Sequence, residues 1–407
     1  MISAESFIRH IMSFSLNGRR TVRDKIRIED FETERFINEF WTSKQRQSSS
    51  IHEISYRACF KAELPNFFIS RLTTKGDMVY DPFSGRGTTV IEAGLLGRNI
   101  ISNDVNPLSE ILTLPRFFIP KISDIKDRLN DISLEESAKA DIELSMFYHP
   151  KTEAELVSLR NYLINKKDSG TEDDIDRWIR MVATNRLTGH SKGFFSVYSL
   201  PPNQAVTPDR QLKINEKLNQ KTEYKDIKKI IVKKSKSLVR KLTLDQKMRL
   251  RKVGEKGLFI TEDSRNTESI PSEDVSLIVT SPPFLNVVDY PTDNWLRCWF
   301  NYLKVDEITK KISILSNLED WGKLIGDSFK EFYRIIKDDG WVAFEVGEVK
   351  NGKIRLDEHV VPLGINAGFE CKGIVINKQK FTKTANIWGV NNNSRGTNTN
   401  RIVLFKK

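Results

Sequence analysis

Met78-Val79-Tyr80-Asp81-Pro82-Phe83-Ser84-Gly85-Arg86-Gly87-Thr88-Thr89 is a short apolar run that breaks into a glycine turn and then a helix-forming stretch stopped by Gly97. The pattern reads as strand, Gly-x-Gly turn, helix. Glycines let a backbone approach a ligand closely, and a helix N-terminus offers free N–H groups. The next apolar run, Ile100-Ile101-Ser102, ends at Asn103-Asp104, and Asp104 lies 17 residues after Gly87. A carboxylate at that strand end can accept bonds from both hydroxyls of a ribose. A third strand, Leu258 to Thr261, ends in Glu262-Asp263-Ser264, where Asp263 could accept from an adenine amino group. A dinucleotide fingerprint needs a third glycine where this chain has Val90, and there is no GxxxxGK[ST]. Ribose and adenine without a phosphate cradle point to S-adenosylmethionine.

The alternation of strands and helices stops near residue 121 and resumes at Gly257. The later half carries an apolar strand, Val275 to Thr280, that runs into Ser281-Pro282-Pro283-Phe284. A helix from about 319 to 337 and strands at 341–346, 369–376 and 401–405 follow it. This predicts an α/β fold with a Rossmann-like, doubly wound, mostly parallel sheet and a large, mainly helical insertion. The expected division is an N-terminal helical extension (1–50), a cofactor-binding half (51–120), the insertion (121–256) and a catalytic half (257–407).

The chain of 407 residues has no apolar run near 18 residues and no leader-like N-terminus, so no membrane span and a cytoplasmic location are expected. Its three cysteines form no CxxC and its five histidines no ligand-spaced cluster, so no metal is expected. The net charge is +11, and Lys221 to Lys256 holds 14 Lys and Arg against 4 Asp and Glu, a local +10. Such a stripe is either a solvated helix face or the electrostatic footprint of nucleic-acid binding.

Two of these stretches resemble motifs of the S-adenosylmethionine-dependent DNA amino-methyltransferase family, whose members act on cytosine N4 or adenine N6. Asp81 to Thr89 resembles its cofactor motif, and Thr280 to Phe284 its catalytic motif [SDN]-Pro-Pro-[Tyr/Phe]. Asn103 to Pro107 is similar to its ribose-binding motif. Tyr56-Arg57-Ala58-Cys59-Phe60 with Leu64-Pro65 is similar to the motif that closes over the methionine end of the cofactor. The resemblance covers roughly 51–120 and 257–407. It implies a fold of the S-adenosylmethionine-dependent methyltransferase type, with cofactor contacts from Tyr56, Phe60, Asp81, Pro82, Phe83, Ser84, Gly85, Gly87, Thr88, Asp104, Asp263 and Ser264. It implies a catalytic loop of Ser281, Pro282, Pro283 and Phe284. Here the cofactor motif precedes the catalytic one, and Phe stands where Tyr is commoner; a phenyl ring still stacks on a base.

The chemistry follows from the amine. Its lone pair is delocalised into the base, so acceptors for its N–H groups, here the Ser281 side chain and the Pro282 carbonyl, pull it toward tetrahedral geometry. Two prolines restrict the backbone and aim that carbonyl. Phe284 should stack on the flipped base. No cysteine follows a proline, which excludes carbon-5 methylation of cytosine through a Pro-Cys nucleophile. Ser in the first catalytic position is commoner in cytosine-N4 members. The expected partners are double-stranded DNA and a cognate restriction endonuclease. Rival expectations are adenine N6, an RNA amino-methyltransferase, or a catalytically silent DNA-binding homologue. Within the insertion His190, Ser191, Lys192, Asn203 and Gln204 are candidates to read base edges. Lys233, Lys234, Lys236 and Arg240 are candidates to hold phosphates. Phe194, Phe195 and Tyr198 read more readily as core.

Overall fold

The computed structural model describes residues 3–16, 18–42, 49–57, 59–200, 205–283, 290–311, 317–349, 354–378 and 399–407. The chain opens with helix α1 (Ala4–Ser13), strands β1 (Val22–Ile28) and β2 (Phe31–Asn38), and α2 (Glu63–Leu72). Next come β3 (Met78–Asp81), α3 (Thr88–Leu95), β4 (Asn99–Asn103) and α4 (Leu108–Thr113). The inserted region carries α5 (Ile122–Asp131), α6 (Pro150–Asp168), α7 (Asp174–Thr184), α8 (Pro208–Lys217), α9 (Ile227–Val239) and α10 (Leu244–Gly254). The chain returns through β5 (Leu258–Ile260), β6 (Val275–Thr280), α11 (Tyr290–Phe300), α12 (Val305–Lys311) and α13 (Leu318–Ile335). It closes with β7 (Ile336–Val346), α14 (Leu356–Asn366), β8 (Glu370–Lys378) and β9 (Thr399–Lys406).

Nine strands form one sheet in the order β1-β2-β8-β9-β7-β6-β3-β4-β5. The five strands β7, β6, β3, β4 and β5 are mutually parallel. β9 is antiparallel to both its neighbours, β2 pairs in parallel with β8, and β1 pairs antiparallel at the edge. The expected mostly parallel, doubly wound sheet is therefore present. The period of two places Val79, Leu277, Val279, Trp341 and Ala343 on one face, in a cluster with α1, α2 and α3. Tyr80, Ile278, Val342 and Phe344 point to the other face, against α13 and α14. Because both faces are covered, β6 is buried at every position, as a central parallel strand must be.

The insertion is helical, and its Trp178, Ile179, Ile227, Ile231 and Leu238 belong to the same apolar cluster as the α1–α3 face. Phe194 and Phe195 are buried, and the Arg186 guanidinium lies 3.9 Å over the Phe194 ring. Those aromatics are core.

Residues 1–50 differ from the expected helical extension. Among the described residues they hold one helix, α1, and then the β1–β2 hairpin, which lengthens the sheet beyond β8. Cross-strand ion pairs Lys25–Glu32 (2.5 Å) and Arg35–Asp24 (2.6 Å) lace the hairpin, and Glu29 turns it with φ of 52°. A strand at a sheet edge takes charge on its open side, so its sequence looks polar rather than apolar. At the hairpin's exit the buried Asn377 of β8 accepts from the N–H groups of Phe40 (2.8 Å) and Trp41 (3.3 Å) through Oδ1.

Asn377→Ala orphans two buried N–H groups. The variant should lose about 1–3 kcal/mol in urea unfolding. Unchanged stability would mean that Asn377 does not anchor this joint.

Candidate functional site

The cleft lies at the carboxyl ends of the parallel strands, the ligand edge of an open α/β sheet. It has a volume of about 940 Å3, open mouth included. From β3 and its turn come Asp81, Pro82, Phe83, Ser84 and Gly85, with Thr88 opening α3. Asp104, Val105 and Asn106 follow β4, and Glu262 to Arg265 follow β5. Ser281 and Pro283 follow β6, Leu324 comes from α13, and Tyr56, Cys59 and Phe60 form the remaining wall. Eleven of the twelve expected cofactor residues therefore line one cleft. Gly87 does not line it. This glycine has φ of 72°, and a Cβ there would meet the Thr113 side chain at 2.4 Å, so its role is packing the start of α3 against α4.

Hydrogen bonds shape the turn. Ser84 N donates to Asn103 O (2.9 Å), Gly87 N to Ser84 O (2.6 Å), and Ser102 Oγ to Ser84 Oγ (2.9 Å). Asp104 accepts from Gly85 N (2.7 Å) and Asn106 N (2.9 Å), which fixes its carboxylate at the cleft. Thr280 Oγ1 donates to Asp81 Oδ1 (2.6 Å) and Thr89 Oγ1 to Val279 O (3.0 Å), tying the cofactor turn to the catalytic strand. Asp263 lines the cleft, but Arg265 forks both its oxygens (2.9 and 2.5 Å).

The wall that carries Tyr56, Cys59 and Phe60, with residues 51–55 leading into it, has no helix over Tyr56 or Phe60. Cationic side chains hold it by its carbonyls instead. Arg86 donates to Ile54 O (2.7 Å) and Phe60 O (3.3 Å), Arg297 to Ser55 O (3.1 Å), and Arg116 to Ile51 O (3.4 Å). Arg86 is the unremarked middle residue of Gly-x-Gly, and no sequence pattern singles out Arg116 or Arg297.

Four carboxylates (Asp81, Asp104, Glu262, Asp263) line the cleft against one guanidinium (Arg265). That balance disfavours a pyrophosphate and suits a cofactor that carries positive charge and hydroxyls. Burial pushes Asp81 up to about 7, against the bonds from Thr280, Thr89 and Phe83 N that pull it down. Burial likewise raises Asp104 to about 6. A cationic ligand beside them would favour their ionised forms. These residues fit S-adenosylmethionine. Among the described residues no group of three or more His, Cys, Asp or Glu could hold a metal, and no helix is long and apolar enough to cross a membrane.

On the catalytic side Pro282 is buried, while Ser281 and Pro283 are half-buried beside the cleft. Trp321 of α13, fully buried, donates its indole N–H to Pro283 O at 3.0 Å. Nothing in the sequence marks that tryptophan. Phe284 lies outside the described residues, as do Asn203 and Gln204. Their neighbour Ala205 donates from N to Asp293 O (3.0 Å), and Trp295 Nε1 donates to Val206 O (3.2 Å), so this part of the insertion adjoins α11. Ser191 and Lys192 are exposed and His190 is half-buried.

The phosphate candidates separate. Lys233 and Lys236 are exposed on α9. Lys234 turns inward and donates to Glu53 O (2.5 Å), and burial lowers it to about 8. Arg240 donates Nη1 to the Glu53 carboxylate (2.6 Å). Lys234 therefore differs from the expectation, because it holds the wall of the cleft rather than an open surface, while Arg240 is exposed but already paired with Glu53.

Residues 15–110 match the family N6_N4_Mtase, DNA methylase. Over that segment the chain is similar to DNA amino-methyltransferases. The matched segment begins before β1 and so includes the hairpin. The chain is 39% identical over 90 residues to Type II methyltransferase M.BsoBI of Geobacillus stearothermophilus, covering 22% of this chain and 18% of that protein. It is 31% identical over 93 residues to Type II methyltransferase M.MjaII of Methanocaldococcus jannaschii, again 22% and 18%. The chain thus matches under a fifth of the length of these relatives. Among solved structures, the rRNA methyltransferase aviRa of Streptomyces viridochromogenes covers 88% of this chain and 90% of its own, at 10% identity and a TM-score of 0.33. A TehB-like SAM-dependent methyltransferase of Corynebacterium glutamicum covers 84% and 86%, at 7% identity and a TM-score of 0.30. Likenesses that distant say nothing of substrate. The strand order and the helical insertion make the fold Rossmann-like, and the lining of its cleft suits S-adenosylmethionine.

Asp104 gives the cleft a pH dependence with a definite sign. Its carboxyl, raised to about 6, is ionised above that value and then suits a cationic ligand best, so Asp104 alone should lower cofactor affinity about tenfold from pH 7 to pH 5. Asp104→Asn should bind more weakly and with a flatter profile in calorimetry; a profile as steep as the wild type's would assign the dependence to another group.

Proposed function

We propose that this protein methylates the N4 amino group of cytosine in double-stranded DNA. The observation that carries the reading is the juxtaposition of the acidic cleft with Ser281-Pro282-Pro283 on neighbouring strand ends. S-adenosylmethionine, when bound, supplies an electrophilic methyl group on a sulfonium. The chain supplies orientation. Ser281 Oγ and the Pro282 carbonyl accept from the amine N–H groups and turn its lone pair toward the methyl. Trp321 fixes the Pro283 carbonyl, which limits rotation of the loop and keeps the preceding carbonyl aimed. The new N–C bond forms as the S–C bond breaks, and the amine proton passes to water, so the reaction has no covalent enzyme intermediate. Phe284 stacks on the extruded base; stacking contributes roughly 1–3 kcal/mol and offsets part of the cost of flipping.

The choice of cytosine rests on Ser281, the commoner residue of cytosine-N4 members in the family this chain resembles. The insertion reads the sequence. His190, Ser191 and Lys192, with Asn203 and Gln204, are the proposed base-reading residues, and the contacts of Ala205 and Val206 with α11 support that reading. A cognate restriction endonuclease is the proposed biological partner, in keeping with the names of the two Type II relatives.

Nucleoside mass spectrometry of duplex DNA incubated with the protein and S-adenosylmethionine should show N4-methylcytosine. N6-methyladenine would correct the base, and label in RNA alone would overturn the reading. Trp321→Phe keeps the ring and removes the N–H. It should lower kcat about tenfold, the loss of about 1.4 kcal/mol of positioning, with cofactor affinity unchanged. A matching loss of cofactor affinity would mark Trp321 as merely structural.

A further inference from the structure

Helix geometry divides the basic segment into two faces. At a spacing of i, i+4, i+7 and i+11, Ile227, Ile231, Lys234 and Leu238 fall on one stripe of α9, and the three beside Lys234 are buried. The opposite stripe is Lys229, Lys233, Lys236 and Arg240, all exposed. Arg240 is paired with Glu53, and Lys229 with Asp226 at 3.0 Å. Lys233 and Lys236 have no carboxylate within ion-pair distance among the described residues, nor has Lys126 of the adjoining α5. Together with Lys228, these side chains line an open groove of about 750 Å3 between α5 and α9, floored by Leu129 and Val232.

We infer that the α5–α9 groove is a second nucleic-acid contact, which takes the phosphodiester backbone of duplex DNA away from the target base. The inference rests on the proposed DNA reading for its partner. Lysines are depleted in the cores of protein–protein interfaces, which argues against a protein occupant. They are point charges on flexible stems that hold phosphates without reading bases. The eight residues from Lys229 to Lys236 span seven helical steps, about 10 Å. That equals roughly three nucleotides of one strand at about 3.4 Å each. The location also fits. α9 is tied to the wall of the cofactor cleft by Lys234 Nζ to Glu53 O and by Ser50 Oγ to Leu238 O (2.7 Å). The other basic helix, α10, packs instead on α3 and β4. There Arg249 donates to Leu95 O (2.7 Å) and flanks Gly97, before the start of β4.

The test is the salt dependence of duplex binding by fluorescence anisotropy, with the full chain. The variant Lys126→Gln/Lys233→Gln/Lys236→Gln should reduce the log–log slope by about 2.7, at about 0.9 per lost contact. Arg251→Gln/Lys252→Gln/Lys256→Gln on α10 removes the same charge and should leave the slope as in the wild type. Equal slopes in the wild type and the α9 variant overturn the inference, and so does an equal reduction by both variants, which would report net charge alone. A slope that depends on these lysines with an RNA hairpin but no binding to duplex DNA overturns DNA as the occupant. A reduced slope on duplex DNA in a protein that transfers no methyl group supports the groove and removes the proposed reaction, so the two fail separately.

Discussion

Thr280 and Asp81 end neighbouring parallel strands, and the 2.6 Å bond between them joins the two halves of the site. Asp81 is fully buried at the start of the cofactor turn, and Thr280 is the last residue before the catalytic loop. The pair is close only because β3 and β6 are adjacent and parallel, with Val79 opposite Leu277 and Tyr80 opposite Ile278. A residue's shift in that register would exchange the faces of the strand and part the two motifs. The partners are 199 residues apart in sequence, and Thr89 to Val279 makes a second bond across the same gap. The insertion can be long because the sheet has already fixed where its ends must meet.

Electrostatics divide the labour along the same lines. The cleft is acidic, with Asp81 and Asp104 held partly protonated by burial until a positive ligand arrives. The insertion is basic, and its cations act in two ways. Lys234 holds the wall residue Glu53 by its carbonyl and Arg240 holds it by its carboxylate, while Lys233 and Lys236 face solvent. In the free protein the raised carboxyls carry a cost. Each has a folded value above its unfolded one, so its contribution to stability is present at low pH and is lost as pH rises toward 6 or 7. The site gives up stability at neutral pH for a carboxylate lining that suits a positive ligand.

Much of this was legible in the sequence. The strand–turn–helix of 78–97, the Asp104 strand end and the Ser281 loop are local patterns, and local patterns survive folding. The β1–β2 hairpin was harder to see, because an edge strand stabilised by Lys25–Glu32 and Arg35–Asp24 has little apolar alternation. The roles of Trp321 and Arg116 depend on contacts across the fold, and no spacing announces them. Lys234 is an intermediate case. Its place on the 227, 231, 234, 238 stripe was readable, but the local charge density of its neighbours masked that periodicity.

The most direct test is calorimetric titration of S-adenosylmethionine into Thr280→Val, an isosteric change that deletes only the hydroxyl. Thr280 is not among the residues lining the cleft. If its bond to Asp81 couples the two halves, cofactor affinity should fall about 2- to 10-fold, the worth of one buried hydrogen bond, and turnover should fall with it. Wild-type affinity in that variant would show that the cofactor turn holds its shape without the catalytic strand, and the account of a single coupled site would be wrong.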